Sequence, residues 1–457
     1  MSPDWIVYWY CGSICLLLLY LSFIMQKIGF LPLVSLVLSS QLGVGIFMLP
    51  GRFSEYGPLG LFGWVVAGAG AILLAFIFSE LCKKNPQNGG PHAYVRQAFG
   101  DRAAFFTGWA YWLISLISNV PLVIIGIGYL TSMTGGCSAF TILLLQVGFL
   151  SFITCLNFCG SSVAGKTEVL FLIFKLIPML AIPIAGILFC NNEHFIPFNP
   201  TDQNWPAILQ KTSLLAMWSF IGLESATAPA ESVANASRII PRAIFVGTTL
   251  VIIICLSNNI GIMALVPSEI LKNSIAPYSE ASKILFPAGS NPILGLILPL
   301  AVATTCLGSL NAWTLFSSYV AYGLASESLF PAVFLKKNRF GAPYISLGVG
   351  YLCTLIFTIL CMNKRFEKGL MLTMDITIVT FLLIYSLCIL AFLKLFIFSK
   401  GASFKITHLI LGCCALFFCV WGIYNSGILS IAVSLGVFVL GTPMYFYAFW
   451  KQKADSR

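Results

Sequence analysis

Charged residues are scarce in this chain of 457 residues. Only 9% of the residues are Asp, Glu, Lys or Arg and only three are histidine, whereas soluble domains carry about 25% charged residues. Hydrophobic residues supply 59% of the sequence, and no long polar segment remains that could form a separate soluble domain. These proportions exclude a soluble protein and indicate an integral membrane protein.

The chain also lacks the residue clusters on which metal, redox and hydrolytic chemistry depend. Its 15 cysteines are scattered, mostly inside apolar stretches, where cysteine behaves as a small apolar residue. The sequence shows no metal-type cluster of cysteine and histidine, no nucleophile–base pair and no phosphate-binding loop. We therefore expect no cofactor, no metal and no enzymatic activity. The net charge of +10 indicates a basic cytoplasmic surface, and not a nucleic-acid partner.

Long apolar runs make up most of the sequence. A helix needs roughly 20 apolar residues to cross a bilayer, and twelve such runs are present. When the first span starts inside, seventeen Lys and Arg residues lie on the inner side and seven on the outer side. This bias predicts that both termini are cytoplasmic. The predicted spans are 28–50, 59–82, 103–133, 138–160, 169–191, 210–233, 243–266, 291–325, 344–362, 369–398, 406–424 and 427–450.

The amino-terminal residues are harder to place. Residues 5–25 are apolar enough for a thirteenth span, yet only Gln26 and Lys27 separate them from the next one. They lack the basic start and the small-residue cleavage site of a signal peptide. We hypothesise that Met25 is the true start and that residues 1–24 are an over-extended reading frame. Peptides from residues 1–24 in mass spectrometry of the natural protein would refute this hypothesis.

Glycine interrupts two of the apolar runs. Residues 40–50 read SQLGVGIFMLP, and residues 217–226 in the sixth span read MWSFIGLESA. Glycine costs about 1 kcal/mol in a helix interior, and backbone groups freed inside a bilayer need protein or a wet cavity around them. Interrupted spans at corresponding positions of two halves are typical of the substrate site of a secondary transporter.

Four ionisable residues lie inside the predicted spans, where each is a functional candidate. Glu224 follows the break in span six and is expected to cap broken backbone or to gate a path. Lys175 is a proton carrier or a fixed cation in place of sodium, or it only hydrogen-bonds carbonyls of broken span one. Glu80 is interpreted as an interfacial residue, and Asp375 as a residue that faces an outer vestibule.

Three uncharged side chains at mid-membrane positions are further candidates. Trp218 and Trp313 are placed where an indole face can hold a guanidinium or an ammonium by cation–π contact, with packing as the alternative. Asn119 is expected either to hydrogen-bond a ligand or to join two helices.

Four local patterns make the chain resemble the amino acid–polyamine–organocation permease superfamily over residues 28–450. They are GVGIF at 43–47 with Pro50, GGPHAY at 89–94, WSFIGLES at 218–225, and the stretch from Asn235 to Pro241. Within this superfamily the chain resembles the bacterial arginine/agmatine antiporter. The resemblance implies an all-α integral membrane fold of twelve transmembrane helices, a 5+5 inverted repeat (LeuT-like) with helices 1 and 6 unwound.

The resemblance also implies a domain organisation. An apolar amino-terminal extension at 1–27 precedes a first five-helix repeat at 28–191. A second, inverted repeat then covers 209–398, and helices 11 and 12 with a cytoplasmic tail cover 405–457. A homodimer is the expected assembly.

The resemblance further implies a role for each site residue. Backbone amides in the first break would bind the substrate carboxylate, and carbonyls near Ile221 would bind its α-ammonium. Trp313 and Asn119 would hold the side-chain cation, Trp218 would close the outer gate, and Tyr111 would join Glu224 at the cytoplasmic gate. The predicted substrate-binding residues are Gly43, Val44, Gly45, Ser115, Asn119, Trp218, Ile221 and Trp313; the predicted gating or coupling residues are Tyr111, Lys175 and Glu224.

Together these features predict an amino acid transporter of the bacterial inner membrane that works by alternating access. The expected reaction exchanges a cationic amino acid for its decarboxylated amine, as arginine for agmatine. The alternative is a proton-coupled symporter of broader or neutral specificity that uses Lys175. A channel or sensor without transport is disfavoured by the paired breaks. The expected partners are amino acid and amine substrates and the lipid bilayer.

Overall fold

A computed structural model describes residues 29–84, 90–132, 137–227, 233, 235–274, 276–287, 292–361, 366–398 and 406–455. The predicted amino-terminal extension and the hypothetical start at Met25 lie outside these residues. The elements within the described ranges are helices. The prediction of an all-α fold is therefore confirmed for the described part of the chain.

The longer helices in the described ranges are numbered here in chain order. The first nine are α1 (Phe30–Gln41), α2 (Gly45–Ser54), α3 (Phe62–Lys84), α4 (Pro91–Phe99), α5 (Asp101–Ile117), α6 (Asn119–Ser132), α7 (Ala139–Phe158), α8 (Ser161–Leu188) and α9 (Trp205–Met217). The remaining eight are α10 (Ala236–Leu265), α11 (Pro277–Leu285), α12 (Pro292–Ser326), α13 (Tyr344–Cys361), α14 (Phe366–Leu393), α15 (Ile406–Asn425), α16 (Ile428–Val439) and α17 (Thr442–Asp455).

Ten helical segments in the described ranges are long and apolar enough to cross a membrane. Some of them combine two numbered helices, as Asp101–Ser132 combines α5 and α6. The bent pair of α1 and α2 forms an eleventh candidate. The ten segments coincide with ten of the predicted spans. The first predicted span corresponds to α1 and α2, which meet at an angle of 45°. Several consecutive apolar helices establish the chain as a multi-pass membrane protein.

The predicted span at 210–233 is not a continuous helix. Its helical part, α9, ends at Met217 and is followed by two 3-10 turns, Trp218–Phe220 and Leu223–Thr227. Between the turns the backbone of Ile221 is extended and Gly222 has a φ of +99°. Because glycine adopts positive φ without steric cost, it is the residue that permits this interruption.

Three helices form the centre of the bundle. The buried share of the most apolar stretch is 78% in Asp101–Ser132, 72% in Leu372–Ile397 and 67% in Gly295–Ser326. The corresponding share is only 28% in Ala139–Phe158 and 22% in Ile428–Ala448. The outer helices therefore present most of their apolar surface to lipid, while α5, α12 and α14 surround the two interrupted segments.

A glycine pair brings α8 and α10 into close contact. An ideal Cβ on Gly186 would lie 2.6 Å from the Cα atom of Gly261, and a Cβ on Gly261 would lie 2.8 Å from the carbonyl oxygen of Ile182. Real Cβ atoms do not approach other atoms this closely. Small residues at helix crossings are the usual means by which membrane helices approach one another.

Replacing Gly261 by alanine tests this crossing. Overpacking costs typically about 1–3 kcal/mol, so Gly261→Ala should lower the unfolding temperature of the detergent-solubilised protein. The matched control is Gly348→Ala in α13, because no atom lies within 4 Å of a Cβ placed there. Alanine favours a helix over glycine by about 1 kcal/mol, so the control should be unchanged or slightly stabilised. Equal behaviour of the two variants would contradict the close crossing.

Candidate functional site

The two interrupted segments lie against each other. The hydroxyl oxygen of Ser40 is 2.9 Å from the carbonyl oxygen of Gly222 and 2.8 Å from the hydroxyl oxygen of Ser225. A Cβ on Gly222 would lie 3.1 Å from both Ser40 and Trp313, and a Cβ on Gly45 would overlap the Ser219 side chain. Glycine at these positions therefore lets one break approach the other.

The carbonyl groups freed at the end of α1 accept hydrogen bonds from other helices. An α-helix leaves its last four carbonyls without a partner of its own, and inside a membrane each needs a donor. Three side chains from α8 and α12 supply such donors here. Lys175 Nζ lies 3.1 Å from Ser39 O, Trp313 Nε1 lies 3.2 Å from Ser40 O, and Ser309 Oγ lies 3.1 Å from Leu42 O.

A cavity opens beside the two breaks. The first turn of α2 begins at Gly45, and the amino-terminal end of a helix favours an anion. Gly45 itself is not among the residues that line this cavity. The helical turn that ends at Phe220 brings a carbonyl end to the second break, and such an end favours a cation. The lining residues that were predicted are Gly43, Val44, Trp218, Ile221 and Trp313, and those that were not are Ser40, Gln41, Ser118, Leu122 and Thr377.

Asn119 lines a second, smaller cavity, which has room for one water-sized group. The side-chain oxygens of Asn119, Thr314 and Ser346 are buried there and have no hydrogen-bond partner among the described residues. Ser115 lines neither of these two cavities. Its hydroxyl donates to the carbonyl of Trp112 at 2.7 Å. The structure thus does not place Asn119 and Ser115 on the wall of the first cavity.

Glu224 is held between two tyrosines. The phenol of Tyr111 donates to Oε1 of Glu224 at 2.6 Å, and the phenol of Tyr385 donates to Oε2 at 2.6 Å. All three side chains are fully buried, and a buried carboxylate is tolerated only when its oxygens are hydrogen-bonded. The structure thus brings Tyr111 and Glu224 together, while their role at a cytoplasmic gate stays a prediction. Tyr385 was not predicted, since a tyrosine inside an apolar span carries no distinguishing signal.

Lys175 has an acidic neighbour that the sequence analysis also missed. Its ammonium lies 3.2 Å from Oε1 of Glu168 on the same helix. Hydropathy placed the start of this span at residue 169, just after the glutamate, whereas α8 begins at Ser161. The seven-residue spacing was the available signal, because residues two helical turns apart share a face.

The remaining two ionisable candidates are Glu80 in α3 and Asp375 in α14. Glu80 bonds Lys83 at 2.5 Å near the end of α3, and its other oxygen is 3.8 Å from His408. This pairing fits the interpretation of Glu80 as an interfacial residue. Asp375 is half-buried in α14, and its exposure to an outer vestibule stays a prediction.

A cluster of ionisable residues ties α4 to the end of α12. Arg96 lies 3.1 Å from Glu327 and 2.7 Å from Asp101, and Nε2 of His92 lies 3.8 Å from Glu327. Burial, together with the positive charge of Arg96, lowers the pKa of His92 to about 4. Burial raises the pKa of Glu327, although Arg96 opposes this effect. His92 is therefore neutral near pH 7, and the Arg96 guanidinium supplies the positive charge that faces Glu327.

Comparison with known proteins finds a matching family and several similar transporters. A family model described as "Amino acid permease" matches residues 28–448, which include both breaks. The putrescine transporter PotE of Haemophilus influenzae is 25% identical over 429 residues, or 93% of this chain and 98% of that protein. PotE of Escherichia coli K12 is 28% identical over 320 residues, covering 70% and 72%. The cadaverine/lysine antiporter of E. coli K12 is 26% identical over 357 residues, covering 75% and 77%.

Removing one phenol tests the two hydrogen bonds that hold Glu224. Tyr385→Phe and Tyr111→Phe each remove one phenol donor from the buried carboxylate, which costs roughly 1–3 kcal/mol or more for a charged group. Both variants should unfold at lower temperature and should slow substrate movement in proteoliposomes. The control is Tyr278→Phe, which removes a buried phenol bond of 2.9 Å to the uncharged Asn258. If the control slowed transport as much as Tyr385→Phe, the hydrogen bonds to Glu224 would have no particular role in transport.

Proposed function

This chain belongs to the amino acid permease family, and on that premise we propose that it exchanges a cationic amino acid for its decarboxylated amine by alternating access. It is a transporter and not an enzyme. The observation that carries the proposal is the meeting of two interrupted helices at one cavity. Such an arrangement offers N–H groups and carbonyl groups to one small molecule at mid-membrane depth.

The cavity supplies a partner for each end of an amino acid. The α-carboxylate would bind the first-turn amides of α2 at Gly45, and the α-ammonium would bind the carbonyls near Ile221. The indole faces of Trp218 and Trp313 would border the side-chain cation, since cation–π contacts are strongest on tryptophan. Asn119 would contact that cation only after its side chain turns from the second cavity towards the first.

We propose arginine and agmatine as the exchanged pair. Several relatives support a cationic substrate, because the similar proteins are named for putrescine and for cadaverine and lysine. Val44 stands where the arginine/agmatine antiporter has a serine, so one hydroxyl contact to the substrate is missing. Ornithine, lysine and their amines are therefore the substrates to compare directly with arginine and agmatine.

The proposal includes the topology of the whole chain. We propose that the interrupted segment at 205–227 is a further crossing and that α1 with α2 is the first, which gives twelve crossings. The repeats would then be 28–191 and 209–398 in opposite orientation, followed by 405–457. Both termini would be cytoplasmic in the bacterial inner membrane, and two copies would form a homodimer.

Uptake of labelled arginine into proteoliposomes tests the exchange. Vesicles preloaded with agmatine or arginine are compared with empty vesicles under an inward proton gradient. Uptake that requires internal substrate, with agmatine preferred inside, is the expected result. The same vesicles loaded with putrescine, cadaverine, ornithine or lysine establish the pair if arginine fails. Uptake into empty vesicles driven by the proton gradient would overturn the proposal.

The alternative function is proton-coupled symport of broader or neutral specificity. Lys175 is the observation that favours it, because this fully buried amine contacts the end of α1 directly. On this alternative, Lys175→Ala abolishes pH-dependent uptake into empty vesicles.

The role of Trp313 is tested by two substitutions. Trp313→Phe loses the bond to Ser40 but keeps an aromatic face, whereas Trp313→Leu loses both. Cation–π contact is worth about 0.5–2 kcal/mol, so the leucine variant should bind substrate a few-fold to about thirtyfold more weakly than the phenylalanine variant. Equilibrium binding of labelled substrate in detergent measures the difference. Equal affinities of the two variants would mean that the indole only packs and caps Ser40.

A further inference from the structure

A buried ion pair lies on one face of α8. Lys175 and Glu168 are seven residues apart, and the two charged groups approach to 3.2 Å. The lysine side chain is fully buried and the glutamate side chain is 12% exposed. Helical side chains lean towards the amino terminus of their helix, which directs the lysine stem back towards Glu168.

Two other helices pack against the lysine side chain. It donates to the carbonyl of Ser39 in α1 at 3.1 Å. Gly308 in α12 makes room for the lysine stem, because a Cβ there would lie 2.8 Å from the Cε atom of Lys175. The thiol of Cys306, also in α12, is the other titratable group that faces the ammonium.

Glu168 is held in place by its second oxygen. Oε2 accepts a hydrogen bond from Asn311 in α12 at 3.0 Å, and Oδ1 of Asn311 accepts one from Asn157 in α7 at 3.0 Å. The Asn311 amide also donates to the carbonyl of Ala164 at 3.0 Å. Both carboxylate oxygens are therefore engaged, and a chain of polar contacts joins α7 and α12 to the lysine.

A buried charge is stable when it is paired and when its remaining hydrogen-bonding capacity is used. The Glu168–Lys175 pair meets both conditions and carries no net charge. A lysine that released its proton from this site would leave the Glu168 carboxylate buried without an opposite charge. The geometry thus opposes a proton cycle on Lys175 and suits a cation that stays in place.

We propose that Glu168 is a positioning residue that holds the Lys175 ammonium on the Ser39 carbonyl, so that the pair is a fixed clamp on the first break. This inference rests on the proposed exchange function, which requires no proton movement on Lys175. The clamp sets the end of α1 and thereby the position of the amides that begin α2. Loss of either partner therefore affects substrate binding through backbone geometry, without a direct contact to substrate.

A double-substitution cycle tests the clamp. The variants are Glu168→Gln, Lys175→Met and the combination of both, assayed by exchange in preloaded proteoliposomes over a range of pH. Each single change leaves an uncompensated buried group and should reduce exchange by roughly tenfold or more. The double variant removes both charges but also the donor to Ser39, so it should be more stable than Lys175→Met and yet no more active in exchange. Glu168→Asp, which keeps the charge on a shorter side chain, should fall between Glu168→Gln and the wild type.

Lys175→Arg separates a clamp from a proton carrier, because arginine keeps a cation and N–H donors but does not release its proton. A fixed clamp should keep part of the exchange activity in this variant, and a folded Lys175→Arg protein no more active than Lys175→Met would overturn the proposal. A Glu168→Gln variant as active as the wild type would also overturn it. The matched controls are Glu193→Gln at an exposed site and Lys211→Met at another, which should leave exchange unchanged.

Thermal unfolding of the same proteins in detergent gives a readout that does not depend on transport. The two single changes should lower the unfolding temperature by more than the double change does, which reveals the coupling between the pair. If the wild-type protein exchanges no tested amine yet shows this coupling, the proposed function fails while the ion pair stands. If no coupling appears, the positioning role of Glu168 fails whatever the substrate is.

Discussion

Backbone groups that are freed inside a membrane need partners, and the rest of this structure follows from that constraint. The first break removes helical hydrogen bonds at Ser39, Ser40 and Leu42, where lipid supplies no donor. Side chains from α8 and α12 donate to these three carbonyls. Val44, the residue just before α2, lines the cavity, so the amino-terminal end of this helix lies beside it. Interruption and binding site are thus two consequences of one feature.

The buried charges follow the same constraint. Glu224 is stabilised by two phenols from α5 and α14, and Lys175 by Glu168 and the end of α1. Each charged group is therefore joined to at least one helix other than its own. A helix movement that opens the cavity must break or carry along such contacts. This couples the conformation of the bundle to the chemistry of the site.

Much of the architecture could be predicted because the signals are local. Ten predicted spans coincide with ten long helices, and both glycine-containing segments are interrupted where expected. The site was predicted less completely. Glu168 was missed because hydropathy placed the start of its span at residue 169, just after the glutamate, whereas the helix begins at Ser161. Tyr385 was missed because an aromatic residue in an apolar run is ordinary. Asn119 lines a neighbouring cavity and not the one beside the breaks.

The sequence by itself determined that this protein crosses the membrane many times and that two of its helices are interrupted. Hydropathy and glycine act over one or two helical turns, so a short window reveals them. Only the tertiary structure decided which groups satisfy the breaks. Ser40 and Gly222 are 182 positions apart, and Leu42 and Ser309 are 267 apart. No local pattern specifies such partners, because helix packing alone brings them within hydrogen-bond distance.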